Sequence, residues 1–327
     1  MSSSGILFLR AQTAIHPGAG TAVGAVDLPV QRESYTRWPT IQGSALKGVL
    51  RDACRDGLVK AERSSGNAGY TLEEANRDQA LCDIFGPPDG DLYAGAMAVT
   101  DARLLAFPVR SAKGVFVWVT CAAALSRARR DLEMAGIAPP FEVPPSPGAT
   151  QAVATTTCDD LWVSMGAEKK LVVEELLLDK CETGEKELDQ VAGWIATAGC
   201  GYGEKPTDFC DPRKRLVLVS GDAFTHLACY ATEIATRIRL DLETKTVAGG
   251  ALFTQELLPA ETLFYSVLLA GRPHSENPAT DASGILETVA RRVNEARVLQ
   301  VGGDETTGKG WCWARVWRAP AAEGASR

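Results

Sequence analysis

The order of strand-like and helix-like segments is the feature that most limits the folds open to this chain. An apolar run at residues 5–14 is typical of a strand, and a helical pattern capped by Ser44 runs to about residue 60. Two strand-like runs lie within 94–121, and a short helical stretch follows. A later portion gives a strand at 262–271, an amphipathic helix at 281–296 and two strands, the last being WCWARVW at 311–317. This order predicts an α+β fold with a ferredoxin-like core interrupted by insertions.

Several segments interrupt that core. Residues 61–92 are polar and rich in Gly, and 136–150 contain five prolines, so we expect insertions at 61–92 and 136–212 within a single domain spanning 1–327. The alternation on both sides of DLETKT predicts a β-hairpin over 235–253.

The composition is that of an ordinary globular protein, with 45% hydrophobic and 23% charged residues. No run of 18 apolar residues suggests a membrane span, and the first residues lack the pattern of a signal peptide. Nine cysteines form no C-x-x-C pair, which makes a structural zinc site an unfavoured alternative. We expect reduced thiols and a cytoplasmic protein.

The net charge of −7 argues against indiscriminate binding of nucleic acid. Residues 1–60 nevertheless carry seven Lys and Arg against four Asp and Glu, so any RNA should bind near this end. Lys47, Arg51 and Arg55 lie four apart on one helix face. They form either a solvated flank paired with nearby acids or a surface that faces phosphates.

The Gly-rich sequence GGDETTGKG at 302–310 approaches a nucleotide-binding P-loop. Gly310 replaces the required Ser or Thr, and the following segment alternates like a strand instead of opening a helix, so ATP binding is not expected. The loop is either a hairpin turn or a concavity whose N–H groups, together with Lys309, hold phosphates.

Three segments together resemble the RAMP superfamily of CRISPR RNA-binding proteins: PTIQGSALKGVLRDACR (39–55), TDARLLAFPVRSAKGVFVWVTC (100–121) and VGGDETTGKGW (301–311). HPGAG, VDLPVQRE and GALFTQELLPAETLFY narrow the resemblance to the backbone subunit of the type III-B (Cmr) effector. These motifs are spread over the whole chain in the expected order.

The resemblance implies a ferredoxin-like (RRM-like) palm and a long β-hairpin thumb, here expected at about 217–260. It implies several copies stacked along one guide crRNA beside other CRISPR effector subunits, each copy cutting the target RNA at a regular interval. The aspartate of the loop after the first strand, Asp27, would be the catalytic residue and would hold a divalent metal, Mg or Mn, completed by RNA phosphates.

Other residues of these motifs receive expected roles. His16 would act in acid–base chemistry or contact phosphate, Arg32 would steady the scissile phosphate, and Glu256 would contribute a thumb carboxylate. Isolated polar loop residues such as Asp27 and His16 also serve ordinary turn chemistry, and that alternative stays open. The residues expected to hold RNA are Arg32, Gln42, Gly43, Ser44, Lys47, Arg51, Gly302, Gly303, Gly308 and Lys309.

The thumb motif departs from the family pattern. Gln255 stands where relatives often have an acid, and Leu257 where they have an aromatic residue, which suggests slower cutting or a greater dependence on Asp27. Two other functions remain open: a non-catalytic RNA-binding scaffold, and a guide-processing endoribonuclease of the same superfamily. The sequence does not determine the copy number, the neighbouring subunits or the guide length.

Overall fold

The computed structural model describes residues 3–21, 26–90, 92–202, 210–240, 243 and 247–319. Within these residues the strands are β1 (Ser3–Ala11), β2 (Thr40–Ile41), β3 (Met97–Val99), β4 (Ala102–Arg110), β5 (Phe116–Cys121), β6 (Gln151–Ala154), β7 (Val163–Met165), β8 (Glu168–Val173), β9 (Leu176–Lys180), β10 (Leu216–Val219), β11 (Glu233–Leu240), β12 (Val247–Leu257), β13 (Leu263–Ala270), β14 (Val298–Gln300) and β15 (Trp311–Trp317).

The α-helices of the same residues are α1 (Gly43–Ser64), α2 (Leu72–Asn76), α3 (Gln79–Phe85), α4 (Ala122–Met134), α5 (Glu185–Trp194), α6 (Pro212–Arg215), α7 (Gly221–Tyr230) and α8 (Ala282–Ala296). A π-helical turn, Ile195–Gly199, continues α5. Short 3₁₀ turns lie at Asp159–Leu161 and Glu305–Thr307.

Thirteen of the described strands form one mixed sheet, and β11 and β12 form a separate two-stranded ribbon. The long sheet runs in the order β14-β15-β1-β13-β4-β5-β10-β6-β9-β8-β7, with β2 added to β4 and β3 to β13. β1 lies antiparallel between β13 and β15, with Phe8 opposite Tyr265 on one side and Arg315 on the other. The chain is therefore of the α+β class, as predicted.

Helices cover both faces of this sheet. Because side chains alternate along a strand, Leu7 and Leu9 of β1 join the core beneath α1 and α8, whereas Ile6 and Phe8 join the core beneath α4 and α5. α8 is held by the side chain of Asp281, which accepts a hydrogen bond from the Gly284 amide at its start.

Helix α1 begins differently from the sequence expectation. The Ser44 cap is wrong, since the N-cap residue is Gln42 and its side chain makes no capping hydrogen bond. Asp101 instead accepts from the Gly43 amide at 2.7 Å, so a residue distant in sequence supplies the cap. A Cβ at position 43 would lie 2.4 Å from the carbonyl oxygen of Val99, which explains the need for glycine.

The segments expected to be insertions contain regular structure. In 61–92, the end of α1 is followed by α2 and α3, and in 136–212 strands β6 to β9 extend the main sheet beyond β10. Residues 136–150 lack regular elements, as their prolines predicted. The division of the chain into insertions and a thumb at 217–260 stays a prediction. Among the described residues, β10 joins the main sheet, and Glu233–Leu240 and Val247–Leu257 form the separate ribbon. The turn predicted at 241–246 lies outside the described residues, residue 243 excepted.

Candidate functional site

The loop after β1 folds back against the last residues of the β11–β12 ribbon. Ile15 and Leu258 exchange backbone hydrogen bonds of 2.9 and 2.8 Å, and the Leu28 amide donates to the Thr254 carbonyl oxygen at 3.0 Å. The Glu256 amide returns a hydrogen bond of 2.9 Å to the Leu28 carbonyl oxygen. The ribbon therefore fixes the course of the loop at both ends of the segment containing residue 27.

Asp27 lies at the exposed edge of this contact. Its Oδ2 accepts from the Thr254 amide at 2.7 Å and from the Thr254 hydroxyl at 2.8 Å. These hydrogen bonds stabilise the charged form and lower the pKa of Asp27 below its ordinary value. The site thus presents an ionised carboxylate to solvent in a defined orientation.

Glu256, two residues further along β12, is buried against the same loop. One carboxylate oxygen accepts from Arg32 Nη2 at 2.6 Å and from the Thr232 hydroxyl at 2.9 Å, and the other accepts from the Val30 amide at 3.0 Å. Arg32 also donates to the carbonyl oxygens of Arg37 and Ala228. Both charged groups are largely buried, with 9% and 16% of their side chains exposed. In the structure, the Arg32–Glu256 pair attaches the loop to the ribbon.

His16 is buried behind the same loop. Its Nδ1 lies 2.8 Å from the Glu256 carbonyl oxygen, which can only accept, so Nδ1 carries the hydrogen. Nε2 lies against Gly18, where a Cβ would come within 2.9 Å of it. The His16 carbonyl oxygen accepts from the Gly303 amide at 3.1 Å. The histidine therefore joins the loop, the ribbon and the Gly-rich segment.

The Gly-rich segment, residues 302–310, connects the antiparallel strands β14 and β15, so it is a hairpin connection that also packs on the loop after β1. Gly302 has a φ of +88°, and a Cβ there would lie 2.4 Å from the His16 carbonyl oxygen. Glycine permits both the backbone angle and this close approach. The side chain of Lys309, half-buried, makes no hydrogen bond or ion pair with any described residue.

Three polar side chains tie the Gly-rich segment to the ribbon. Asp304 Oδ2 accepts from Gln255 Nε2 at 2.6 Å and from Arg237 Nη2 at 3.3 Å, and Arg237 Nε donates to Gln255 Oε1 at 3.0 Å. Gln255 is 3% exposed and Leu257 2% exposed. Gln255 and Leu257 therefore face inward, Gln255 in this cluster and Leu257 in apolar packing.

The three basic residues on one face of α1, Lys47, Arg51 and Arg55, lie in different environments. Arg51 donates to the carbonyl oxygens of Gly86 and Asn76, at 2.8 and 3.4 Å, and Arg55 pairs with Asp52 and Asp56. Lys47 makes no hydrogen bond or ion pair with a described residue. Burial, and then the charge of Arg51, lower its pKa. Lys47 is thus the one of these three residues best able to bind an external anion, since its ammonium has no described partner and a phosphate would favour its charged form.

A metal ion at this site would have few protein ligands. Among the described residues no group of three or more His, Cys, Asp and Glu side chains is placed to coordinate a metal. The exposed carboxylate of Asp27 suits Mg²⁺, which commonly binds through one or two carboxylates and completes its shell with water and substrate phosphates.

None of the described helices is long and apolar enough to cross a membrane.

The structure thus brings Asp27, His16, Arg32, Glu256 and the Gly-rich segment around one end of the ribbon. It adds residues that the sequence reasoning missed: Thr254, Thr232, Arg237 and Asp304. Thr254 and Asp304 lie inside motifs already noted, but only long-range contacts reveal their partners. Gln42 and Ser44 are exposed at the start of α1, whereas Gly43 is buried with its amide bound to Asp101.

Comparison of the sequence with known proteins identifies its family and two relatives. Residues 8–313 match the RAMP superfamily. The chain is 35% identical over 304 residues to the CRISPR system Cmr endoribonuclease Cmr4 of Pyrococcus furiosus, covering 91% of this chain and 90% of that protein. It is 25% identical over 313 residues to the CRISPR system CMR subunit Cmr4 of Saccharolobus solfataricus, covering 93% of each.

Solved structures of the same fold support this family membership. The crystal structure of oligomeric Cmr4 from Pyrococcus furiosus superposes with a TM-score of 0.66 at 26% identity, covering 97% of this chain and 98% of that one. The cryo-EM structure of the type III-B Cmr-beta bound to cognate target RNA contains a chain of the same fold, with a TM-score of 0.65, 19% identity and 96% coverage of both chains. Because a family match spans most of the chain and a 35% identical relative is covered almost end to end, the chain belongs to the RAMP superfamily and, within it, to the Cmr4 family.

Proposed function

We propose that this protein is the repeating backbone subunit of a type III-B CRISPR effector, which binds guide RNA and cleaves complementary target RNA through Asp27. The observation that carries the proposal is the exposed Asp27 carboxylate held by Thr254 of the ribbon, in a chain 35% identical to a Cmr endoribonuclease. Its partners would be guide crRNA, target RNA, further copies of itself and other effector subunits. The expected location is the cytoplasm.

Cleavage of RNA requires that the attacking 2′-hydroxyl, the phosphate and the leaving 5′-oxygen be held in line. Asp27 is ionised and fixed in direction by Thr254, so it can accept a hydrogen bond from the hydroxyl and align it. A divalent ion held by Asp27 and RNA phosphates would supply Lewis-acid stabilisation of the charge that develops on the leaving oxygen. The cleaving groups beyond Asp27 would then come from the RNA and its bound ion.

His16, Arg32 and Glu256 receive positioning roles in this proposal instead of the direct roles expected from the sequence. The carboxylate of Glu256 already accepts from Arg32, Thr232 and Val30, and His16 Nδ1 is engaged by a carbonyl oxygen. Groups with such partners cannot turn to a substrate without leaving buried polar atoms unpaired, which costs about 1–3 kcal/mol for each. They hold the loop that carries Asp27.

Guide binding is assigned mainly to Lys47, Lys309, the exposed start of α1 at Gln42 and Ser44, and the Gly-rich segment. Lys47 and Lys309 are the predicted cationic contacts whose side chains make neither a hydrogen bond nor an ion pair with a described residue, so they can neutralise phosphates. A subunit repeated along one guide must accept any base, and contacts to phosphate and 2′-hydroxyl groups meet that requirement.

We further infer a ferredoxin-like palm. The central strands lie in the order β15-β1-β13-β4, all antiparallel, with α1 between β1 and β4 in sequence and α8 between β13 and β15. This arrangement supports the β-α-β-β-α-β pattern of that fold. The ribbon of β11 and β12 would be the thumb.

The test is cleavage of target RNA by the assembled complex in magnesium, comparing wild type with Asp27→Ala. We expect a ladder of regularly spaced products that disappears in the variant while guide binding and assembly persist. A ladder that survives would leave the protein as a scaffold and place the chemistry elsewhere. One copy per guide, with cleavage of the guide precursor, would favour the processing endoribonuclease.

A further inference from the structure

A basic cleft of about 710 Å³ lies near the β14–β15 end of the sheet. β1, β15, the end of α8 and the turn after α5 form its walls. Three arginines line it, Arg10, Arg297 and Arg315, together with the aromatic rings of Tyr202 and Trp313. The described lining residues include no Asp or Glu, although the whole chain carries a net charge of −7. The cleft is therefore a local concentration of positive charge.

Two of these arginines have no side-chain partner among the described residues. Neither Arg297 nor Arg315 makes a side-chain hydrogen bond or ion pair with any described residue. Arg291 and Arg292, on the same helix α8 as the segment leading to Arg297, both pair with Glu295. Arg10 differs, since it donates to the Tyr202 hydroxyl and forms an ion pair with Glu261 at 3.9 Å. The guanidinium groups of Arg297 and Arg315 thus have donors left for an anionic ligand.

Two exposed tryptophans lie on β15: Trp313, which lines the cleft, and Trp311, two residues before it. Trp311 and Trp313 are 37% and 39% exposed, although other large aromatics of the sheet, such as Trp118, are fully buried. Being two residues apart on β15, they project from the same face, about 7 Å from each other along the strand. Arg10 lies directly opposite Trp313 on β1 and Gln12 contacts Trp311 through the backbone. Aromatic faces interleaved with guanidinium groups are typical of surfaces that stack unpaired bases.

The cleft lies close to the Gly-rich segment along β15. Trp311 follows Gly310 directly, and its amide donates to the Thr13 hydroxyl at 3.1 Å. Trp313 lies three residues beyond Gly310, or about 10 Å along an extended strand. A strand of RNA whose phosphates contact Gly302–Lys309 can therefore reach the cleft within a few nucleotides.

We propose that this cleft is an additional binding site for one or two unpaired nucleotides of RNA, with bases stacked on Trp311 and Trp313 and phosphates bound by Arg297 and Arg315. The inference rests on the proposed RNA-binding function and extends its path beyond the Gly-rich segment. An acidic peptide would satisfy the arginines but leave the two tryptophan faces without planar partners, so the aromatic pair favours RNA.

The test measures binding of a single-stranded oligouridylate to the full chain, and to the assembled complex, over a range of salt concentrations. The variant Arg297→Ala/Arg315→Ala should weaken binding and reduce the slope of log affinity against log salt by about 1.4, since each single-strand phosphate contact contributes about 0.7. Trp313→Ala should weaken binding about fivefold or more with little change in slope, because stacking involves no counterion. Trp313→Phe should restore most of this loss.

The matched control is Arg130→Ala/Arg291→Ala, which removes the same charge from exposed residues that do not line the cleft. This control should change the affinity for RNA and the salt slope much less than Arg297→Ala/Arg315→Ala does. Oligouridylate bearing a photoreactive 4-thiouridine should crosslink to β15 in the wild type, and much less in Trp313→Ala.

Three other outcomes would overturn the proposal. Unchanged RNA binding in both cleft variants, in a complex that still cuts target RNA into a ladder, rejects the cleft site and leaves the proposed function intact. Unchanged RNA binding with loss of association between copies makes the cleft a protein interface. A wild-type chain and complex that bind no RNA reject both the cleft site and the proposed function.

Discussion

The amide and the hydroxyl of Thr254 both donate to the same carboxylate oxygen of Asp27, at 2.7 and 2.8 Å. One residue of the ribbon thereby sets both the direction and the charge of the loop carboxylate. Asp27 is ionised over a wider pH range than a free carboxyl group, since its pKa is lowered by hydrogen bonding while its exposure leaves little desolvation to oppose this.

Replacing Thr254 by Val removes the hydroxyl donor and leaves the amide. The pKa of Asp27 should then rise toward its ordinary value, so the fraction of ionised carboxylate begins to fall at a higher pH as the solution is acidified. We expect the acid limb of the pH–rate profile of target cleavage to move to higher pH, with rates near neutrality reduced less than tenfold. The measurement is single-turnover cleavage between pH 4 and 8. An unmoved acid limb would show that Asp27 does not titrate in the rate-determining step.

The Gln255–Asp304 contact predicts the effect of placing an acid at position 255. Gln255→Glu replaces a donor, 2.6 Å from Asp304, by a second carboxylate. We expect a loss of about 1–3 kcal/mol in the free energy of unfolding, because an amide–carboxylate hydrogen bond becomes a contact between like charges. The double variant Gln255→Glu/Asp304→Asn reverses donor and acceptor and should recover much of the loss. Denaturant unfolding measures both; equal losses in the single and double variants would contradict the pairing.

Breaking the Arg32–Glu256 pair should affect folding as well as cleavage. Glu256→Ala leaves Arg32 without its carboxylate in a largely buried place, and we expect a loss of about 3–5 kcal/mol in stability. Asp27→Ala, at an exposed position, should change stability little while removing cleavage. Thermal unfolding of both variants, with the cleavage assay beside it, separates a positioning residue from a catalytic one. A stable Glu256→Ala protein that has lost only cleavage would instead indicate direct catalysis by Glu256.

Lys47 and Arg51 differ in spite of being one turn apart on α1. Lys47→Ala should weaken guide binding similarly for guides of any sequence and reduce the salt slope by about 0.7, with no change in the unfolding midpoint. Arg51→Ala should lower stability by about 1–3 kcal/mol, since the Gly86 carbonyl oxygen loses its charged donor. Fluorescence binding titrations and thermal unfolding measure the two effects. Losses that depend strongly on guide sequence would contradict contact with phosphates.

The sequence alone predicted the regular elements with strong periodicity. WCWARVW alternates at 311–317 and forms β15 over the same residues, and the helix expected at 281–296 is α8 at Ala282–Ala296. These segments carry their structure in local apolar spacing, so neighbouring residues suffice to specify them. Short or weakly periodic elements, such as α2 and α3 within 61–92, were missed because their apolar positions gain meaning only when packed.

The sequence by itself also determined the family and the loop that carries Asp27, since motif residues and their order are properties of the chain. Only the tertiary structure decided which polar side chains have hydrogen-bond partners within the protein. Asp27 is hydrogen-bonded to Thr254, 227 residues away in the sequence, and Asp101 caps α1 by accepting from Gly43, 58 residues away. Such hydrogen bonds depend on distances and directions between segments that the fold brings together. A sequence shows that a carboxylate is present, but its partners decide whether it holds the fold or faces the substrate.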